Sequence, residues 1–300
     1  MKKTVLLLLL IIATVSLYAQ TESGKSGSVL WKISGKDLSK PSYLLGTLHL
    51  KPGEYLDSIP GATAALQSCE QVVGEVNMTD MTGMQMQMQQ AMMMTPDTTY
   101  KMLYSDDDYR FVNDKLSSFL PNSGLDKFSK LKPVAIQLTV IALAYMKYFP
   151  GINQMNTLDI HIQSEATKEQ KPVFGLETVD DQIHILFGAT SLQRQADDLL
   201  CSLKNMDKMM ALIPEQIEDY NQGNLDELYR QFKDDDICPS SPSETAAIYN
   251  DRNQAWMKKL PEMMKDKPAF IAVGALHLAG EDGLLNLLEQ AGYRVEPVGL

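Results

Sequence analysis

Tyr43-Leu44-Leu45-Gly46-Thr47-Leu48-His49-Leu50 is answered near the other end of the chain by Ile271-Ala272-Val273-Gly274-Ala275-Leu276-His277-Leu278. Both stretches run apolar-apolar-Gly-x-Leu-His-Leu. Each apolar run has the length and composition of a buried strand, and each Gly permits a tight backbone course where that strand ends. Each His therefore falls just past the C-terminal end of a strand. In open α/β sheets that edge is where ligands bind. Two such strands lying side by side would bring His49 and His277 together, in a chain that has only 4 His.

Further strand-like runs are Val29–Ile33, Gln71–Val76, Pro172–Leu176 and Tyr293–Val298; the two motif strands span Tyr43–Leu48 and Ala269–Val273. Between them the sequence reads as helix. Lys132–Phe149 is apolar, opens near Pro133 and stops at Pro150-Gly151. Asn156–Gln170, Thr190–Asn205, Asp207–Gln222 and Glu244–Lys265 carry helical periodicity, with a shorter piece at Asp226–Phe232. Strands at both chain ends with helices between predict a mixed α/β domain. Its central sheet draws on both ends and carries flanking helices and a helical insertion. Runs so continuously apolar suit parallel strands buried on both faces.

The 300 residues are 44% hydrophobic and 22% charged, a globular composition. A net charge of −11 argues against a general nucleic-acid binder, which needs a basic face. Lys2-Lys3, the apolar run Val5–Val15 and Ser16-Leu17-Tyr18-Ala19 read as a signal peptide over residues 1–19. The run is shorter than the roughly 20 apolar residues of a membrane span. The expected product is a periplasmic or secreted domain over residues 20–300, with no membrane span. In an oxidising compartment Cys201 and Cys238 can pair, leaving Cys69 buried and free.

Two more strand ends carry a carboxylate near a Gly: Val72-Val73-Gly74-Glu75 and Val173-Phe174-Gly175-Leu176-Glu177. A charge there is costly unless paired or bound to a cation. Two His and one or two carboxylates suit a divalent metal with an open position, with His49, His277 and Glu75 as ligands and Glu177 as the alternative carboxylate. The alternative is that each His is a hydrogen-bonded structural residue and each Glu pairs with an Arg. His161 and His184 read as helix-surface residues. Asp106-Asp107-Asp108 and Asp234-Asp235-Asp236 read as solvated loops or helix starts. Met78–Met94 holds eight Met among Gln, Thr and Ala. It is expected to be a lid helix with an adaptable apolar face, dispensable for folding. Cu(I) capture by Met84, Met86 and Met88 is the weaker reading, since no His or Cys lies nearby.

The paired Gly-x-x-His motifs, Val-Val-Gly-Glu75 and Phe-Gly-Leu-Glu177-Thr178 resemble the TraB/GumN family. That family is related to the Tiki proteases and, more distantly, to erythromycin-esterase-like and haem-uptake proteins. Phe270–Leu285 and Gly292–Val298 are similar to its C-terminal end. Asp251-Arg252-Asn253-Gln254-Ala255-Trp256 resembles its Arg-Asn pair before an aromatic. Leu158-Asp159 resembles its Gly-x-Asp, with Thr157 departing from the pattern. The resemblance runs from about Val29 to Val298 and omits the Met-rich stretch. It implies a mixed α/β fold and metal-dependent peptide cleavage with Mn²⁺ or Co²⁺ favoured over Zn²⁺. Glu75 would be ligand or general base, and Arg252 would steady an oxyanion or orient a carboxylate. Two rivals stand beside it: a non-catalytic binder of haem or another hydrophobic ligand, and a hydrolase of non-peptide esters.

The leader reading has a direct check. N-terminal sequencing of the native protein is expected to begin near Gln20; an intact, membrane-embedded Met1 overturns it.

Overall fold

Among the described residues six strands form one sheet: β1 (Leu30–Ser34), β2 (Ser42–Thr47), β3 (Gln71–Val76), β4 (Val173–Glu177), β5 (Ala269–Gly274) and β6 (Arg294–Pro297). Their order across the sheet is β4-β3-β5-β2-β1-β6. The computed structural model describes residues 27–79, 81–120, 123–149, 156–234 and 236–299, with backbone alone for Met81 and Thr82. The expected leader lies outside them.

β4, β3, β5 and β2 run parallel, while β1 is antiparallel to both β2 and β6. The mixed α/β fold with strands from both chain ends is the one the sequence predicts. Burial follows position in the sheet. Val72, Val73, Leu44, Leu45, Phe270 and Ile271 on the central strands are fully buried. β4 lies at an edge, and its Phe174 is 42% exposed. Two-sided burial thus holds for the parallel centre and not for the rim.

The register sets up the functional edge. Gly46 pairs with Val273 and Thr47 with Gly274, so both motif strands end at the same level. Gly74 pairs with Ala272, and Val76 with Glu177.

Helices fill the two long crossovers. α1 is Ala62–Ser68, α2 Met81–Ala91, α3 Asp106–Phe119, α4 Pro133–Tyr148, α5 Leu158–Lys168, α6 Val179–Phe187, α7 Leu192–Asn221, α8 Leu225–Lys233, α9 Asp251–Met257, α10 Leu260–Asp266 and α11 Leu284–Gln290. A second apolar core, separate from that of the sheet, joins Val112 and Leu116 of α3, Ile136 and Val140 of α4, and Leu199 and Leu203 of α7. This is the helical insertion. The acidic run Asp106–Asp108 is its helix start: the three Asp form the first turn of α3, and the Ser105 hydroxyl accepts from the Asp108 amide.

Three expectations need correction. The helices placed at Thr190–Asn205 and Asp207–Gln222 are one 30-residue helix, α7. Asp207 does not cap a new helix; its carboxylate accepts from the Tyr148 hydroxyl at 2.5 Å. Met206 and Met210 are buried on either side of it, so packing carries the helix through, Pro214 included. The helix expected over Glu244–Lys265 is instead segmented. A one-turn helix at Pro242–Thr245 runs into a π-helical turn at Ala246–Asn250, then α9, then a break before Pro261 and α10. Finally, the Met-rich stretch is not all lid. Met94 is 7% exposed in the second core, and its amide donates to the Lys130 carbonyl at 2.7 Å.

α7 ties the two cores together. Its middle packs in the helical core, and Tyr220 near its end is buried with the sheet, donating to the Gly46 carbonyl at 2.8 Å. Cys201 of α7 is disulfide-bonded to Cys238, and Cys69 is free and buried, as the sequence suggests.

Gly46 shows why the motif needs glycine. A Cβ there would lie 3.0 Å from the Ala275 Cα, 3.1 Å from Leu278 Cδ2 and 3.2 Å from the Ala275 Cβ. Gly46→Ala is therefore expected to cost about 1–3 kcal/mol by overpacking. Urea unfolding at pH 7 reads it; an unchanged midpoint would mean that the turn after β5 gives way freely.

Candidate active site

Arg252 is the centre of the cluster at the C-terminal edge of the parallel strands. It lies on α9, directly after the π-helical turn, and is 8% exposed. Nη2 donates to Glu75 Oε2 at 2.6 Å and to Glu177 Oε2 at 2.9 Å. Nε donates to Glu177 Oε1 at 2.7 Å. Nη1 donates to the Ile248 carbonyl at 3.1 Å and to His277 Nε2 at 3.0 Å. The planar fork of the guanidinium matches the paired oxygens of Glu177, which a lysine could not do.

Each partner is fixed by its own strand end. Glu75, on β3, takes the Gly274 amide of β5 on Oε1 at 2.8 Å. Glu177 ends β4 where Thr178 opens α6 through a reciprocal cap with Asp181. It also accepts from Trp256 Nε1 at 2.9 Å and Gln182 Nε2 at 2.8 Å. His277 follows β5 and is buried between Trp256 and Tyr249, its ring 4.4 and 5.1 Å from theirs. Its Nδ1 lies 2.7 Å from Asn253 Oδ1, while Asn253 Nδ2 donates to the His277 and Asp282 carbonyls. Since that Oδ1 can only accept, Nδ1 carries the proton and Nε2 presents its lone pair to Arg252.

His49 stands apart from this cluster but borders the same cavity. Its side chain is 77% exposed. Nδ1 is 3.0 Å from Asp159 Oδ2, and Thr47 donates to Asp159 Oδ1 at 2.6 Å. A cavity of about 770 Å³ is lined by His49, Glu75, Arg252 and His277 together.

The protonation states follow. Burial pushes the His277 imidazole down to about 4, so it is neutral at pH 7. Burial also disfavours the Glu75 carboxylate. Attraction to His277 and Arg252, and hydrogen bonds from the Gly274 amide and Arg252, outweigh it and bring the acid down to about 2. With His277 neutral, Arg252 and the Gly274 amide are the lasting support. The hydrogen bond to Asp159 raises His49 to about 9, against some desolvation, so it is a cation at pH 7. The open ring is also washed by solvent, which weakens the attraction without reversing its direction.

The expected site residues His49, Glu75, Glu177, Arg252 and His277 thus meet at one edge, with Asn253 and Asp159 behind them. His184 is exposed on α6 and does not line this cavity. Thr47, Gln182 and Tyr249 join these residues without a motif that marks them. Thr47, two residues before His49 on the strand end, carried a usable signal; the other two are placed only by tertiary packing.

A metal ion is a separate question. His277 Nε2 and Glu75 Oε1 are 4.0 Å apart, a span that two bonds of roughly 2.0–2.2 Å can bridge. Yet Arg252 already occupies Nε2, Asp159 occupies His49 Nδ1, and among the described residues no three His, Cys, Asp or Glu side chains close on one point. In this arrangement a guanidinium, not a metal ion, sits among the carboxylates.

The chain belongs to the TraB/PrgY/gumN family, whose model matches residues 29–297. It is 25% identical to metalloprotease TIKI1 of Xenopus tropicalis over 96% of this chain and 66% of that protein. It is 24% identical to the TIKI1 of Homo sapiens, over 94% of this chain and 64% of that one. Metalloprotease TIKI2 of Danio rerio is 24% identical over 90% and 60%. The chain thus spans somewhat less than two thirds of the length of these relatives. No solved structure matches it.

Two predictions follow from the electrostatics. Removing the guanidinium by Arg252→Leu leaves two nearly buried carboxylates uncompensated and is expected to cost about 3–5 kcal/mol. If the vacated place suits a cation, millimolar Mn²⁺ or Co²⁺ will raise the melting temperature of this variant more than that of the native protein; equal shifts would deny a latent metal site. The pH profile has two flanks. His277, low at about 4, and Glu75, low at about 2, give stability that is lost as pH falls below 6.5 towards 4 and below 4.5 towards 2. His49, high at about 9, gives stability that is lost as pH rises from 6.5 through 9. Urea midpoints from pH 3 to 10 should therefore peak near neutrality. His49→Ala should flatten the alkaline flank alone.

Proposed function

We propose that this chain is an exported hydrolase of peptide bonds and that the reaction runs at the C-terminal edge of β2, β3 and β5. One observation carries the reading. Four side chains with complementary charge states, drawn from strand ends and a helix far apart in sequence, face one cavity of about 770 Å³. That size falls within the roughly 300–1,000 Å³ of sites that enclose small ligands. The likeness to chains named metalloproteases supports the reaction class and the involvement of a metal ion; manganese or cobalt before zinc is the expectation taken from the sequence resemblance.

His49 is an exposed cation at the cavity beside the Glu75 edge, where Arg230 also lines the wall. It suits the charge that develops on a carbonyl oxygen under attack, or the proton that a leaving amine requires. Asp159 and Thr47 hold its orientation. Glu75 is the carboxylate best placed to take a proton from water. Held at about 2 by Arg252 and its other partners, however, it is a weak base at pH 7. Turnover on this reading needs Arg252 to loosen from Glu75, leaning on its two bonds to Glu177. Asn253 fixes the His277 ring, and Trp256 and Tyr249 keep it dry.

A peptide-library screen with and without Mn²⁺ tests the reaction class. His49→Ala is expected to lose roughly 10²–10³ in rate while staying folded at pH 7, its stability there lowered only by the loss of the pairing with Asp159 and level with the native protein by pH 10. Glu75→Gln keeps the shape, removes the charge and should also lose turnover. Undiminished cleavage in both variants would refute this site.

A further inference from the structure

The Met-rich helix gives the site a second chamber. Met84 and Met88 are one helical turn apart on α2 and half-buried on the same face, whereas Met86 points away and is 64% exposed. α2 packs against α6. Beneath it lies a separate cavity of about 210 Å³. Its apolar wall is Val76, Met84, Met88, Ile160, Val179 and Ala272. Gln163 also borders it, but its amide is engaged at both ends: Nε2 donates to the Val76 carbonyl and Oε1 accepts from the Met78 amide. His49, Glu75 and Asp159 line it as well. His49, Glu75 and Gln182 line this cavity and the larger one alike.

We infer that the smaller cavity is a specificity pocket for an apolar side chain of the peptide substrate, adjoining the bond that is cut. The inference rests on the peptide-hydrolase reading above and adds which peptides are taken. An apolar cavity of roughly 150 Å³ already accepts benzene, so this one admits a Leu, Met or Phe side chain. A side chain seated under Met84 and Met88 leaves its own backbone beside His49 and Glu75, where the two cavities share their walls. Charged side chains are disfavoured: apart from His49, Glu75 and Asp159, the described lining offers only the neutral polar groups of Thr157, Gln163 and Gln182 against their desolvation. The thioethers set the breadth of choice. Unbranched and polarizable, they adjust to several apolar shapes where a β-branched wall would select one.

The test reads the pocket with and without turnover. The mature protein, labelled with ¹³C at the methionine methyl groups, is titrated with N-acetyl-leucine amide, N-acetyl-phenylalanine amide and N-acetyl-aspartate amide. Met84→Leu and Met88→Leu assign the signals. The Met84 and Met88 methyls are expected to shift with the Leu and Phe compounds and not with the Asp compound, while Met86 stays still. Met88→Trp, which fills the chamber from an adaptable face, should weaken the Phe compound by about tenfold or more. In the peptide screen the native protein should prefer an apolar residue on one side of the cut, and Met88→Trp should move that preference to smaller side chains. Unmoved Met84 and Met88 methyls, or cleavage with preferences untouched by Met88→Trp, would overturn the pocket. Methyl shifts without cleavage of any peptide would keep the pocket and overturn the hydrolase reading instead.

Discussion

One guanidinium organises the functional edge. Arg252 binds Glu75 and Glu177 and lends a proton to the lone pair of His277. Two carboxylates against one arginine and a neutral imidazole leave this buried group with one surplus negative charge. Such a surplus survives burial only where neutral donors share it. The Gly274 amide, Trp256 Nε1 and Gln182 Nε2 do so. The surplus is also what an incoming cation or a polarised substrate would meet, so the arrangement that stabilises the resting state biases what the cavity attracts.

This cluster and the fold are one object. Glu75 comes from β3, Glu177 from β4, His277 from the end of β5 and Arg252 from α9. Each hydrogen bond among them is also a tie between a crossover and a strand end, and α9 is held to the sheet edge by its own functional side chains. The π-helical turn directly before α9 belongs to this account. A wider turn alters the phase of the residues that follow it, and such turns recur beside sites for that reason. The helical core around Val112, Leu116 and Leu199 holds no part of the cluster. It meets the site through Tyr145, Met209 and Met210, which line the larger cavity, and through α7, whose Tyr220 reaches back to Gly46.

Much of this was legible in the sequence. The parallel strands at the centre were readable because buried strands are short and continuously apolar, and the remaining ones because each is a short apolar run between turn residues. The repeated Gly-x-x-His pointed to a common edge because Gly46 and Gly274 mark where the strands stop. What stayed hidden was set by packing at a distance. Met206-Asp207 looks like a helix boundary, and only burial on both sides carries α7 through it. Glu244–Lys265 has helical periodicity throughout, yet its phase slips at Ala246–Asn250 without any Gly or Pro to announce it. The sequence also left two partners open for each carboxylate, metal or arginine. Ion pairing is a relation between residues 177 and 75 positions apart along the chain, which no local pattern encodes.

The site divides into a rigid part and an adaptable one, and the division follows side-chain chemistry. On the polar side most donors and acceptors have fixed partners, planar groups meet planar groups, and aromatic rings close over His277. Small displacements there would disturb several hydrogen bonds at once. On the apolar side the roof over the wall of strand and helix side chains is a single helix, with Met84 and Met88 lining the cavity and Gln85, Gln87 and Met86 facing solvent. Dispersion contacts of flexible side chains change little as the wall moves by a fraction of an ångström. A sheet edge that must place charges to within tenths of an ångström is thereby combined with a roof that need only remain apolar. This explains how Met78, Met84 and Met88 can line a cavity beside a cluster whose own residues leave almost no freedom.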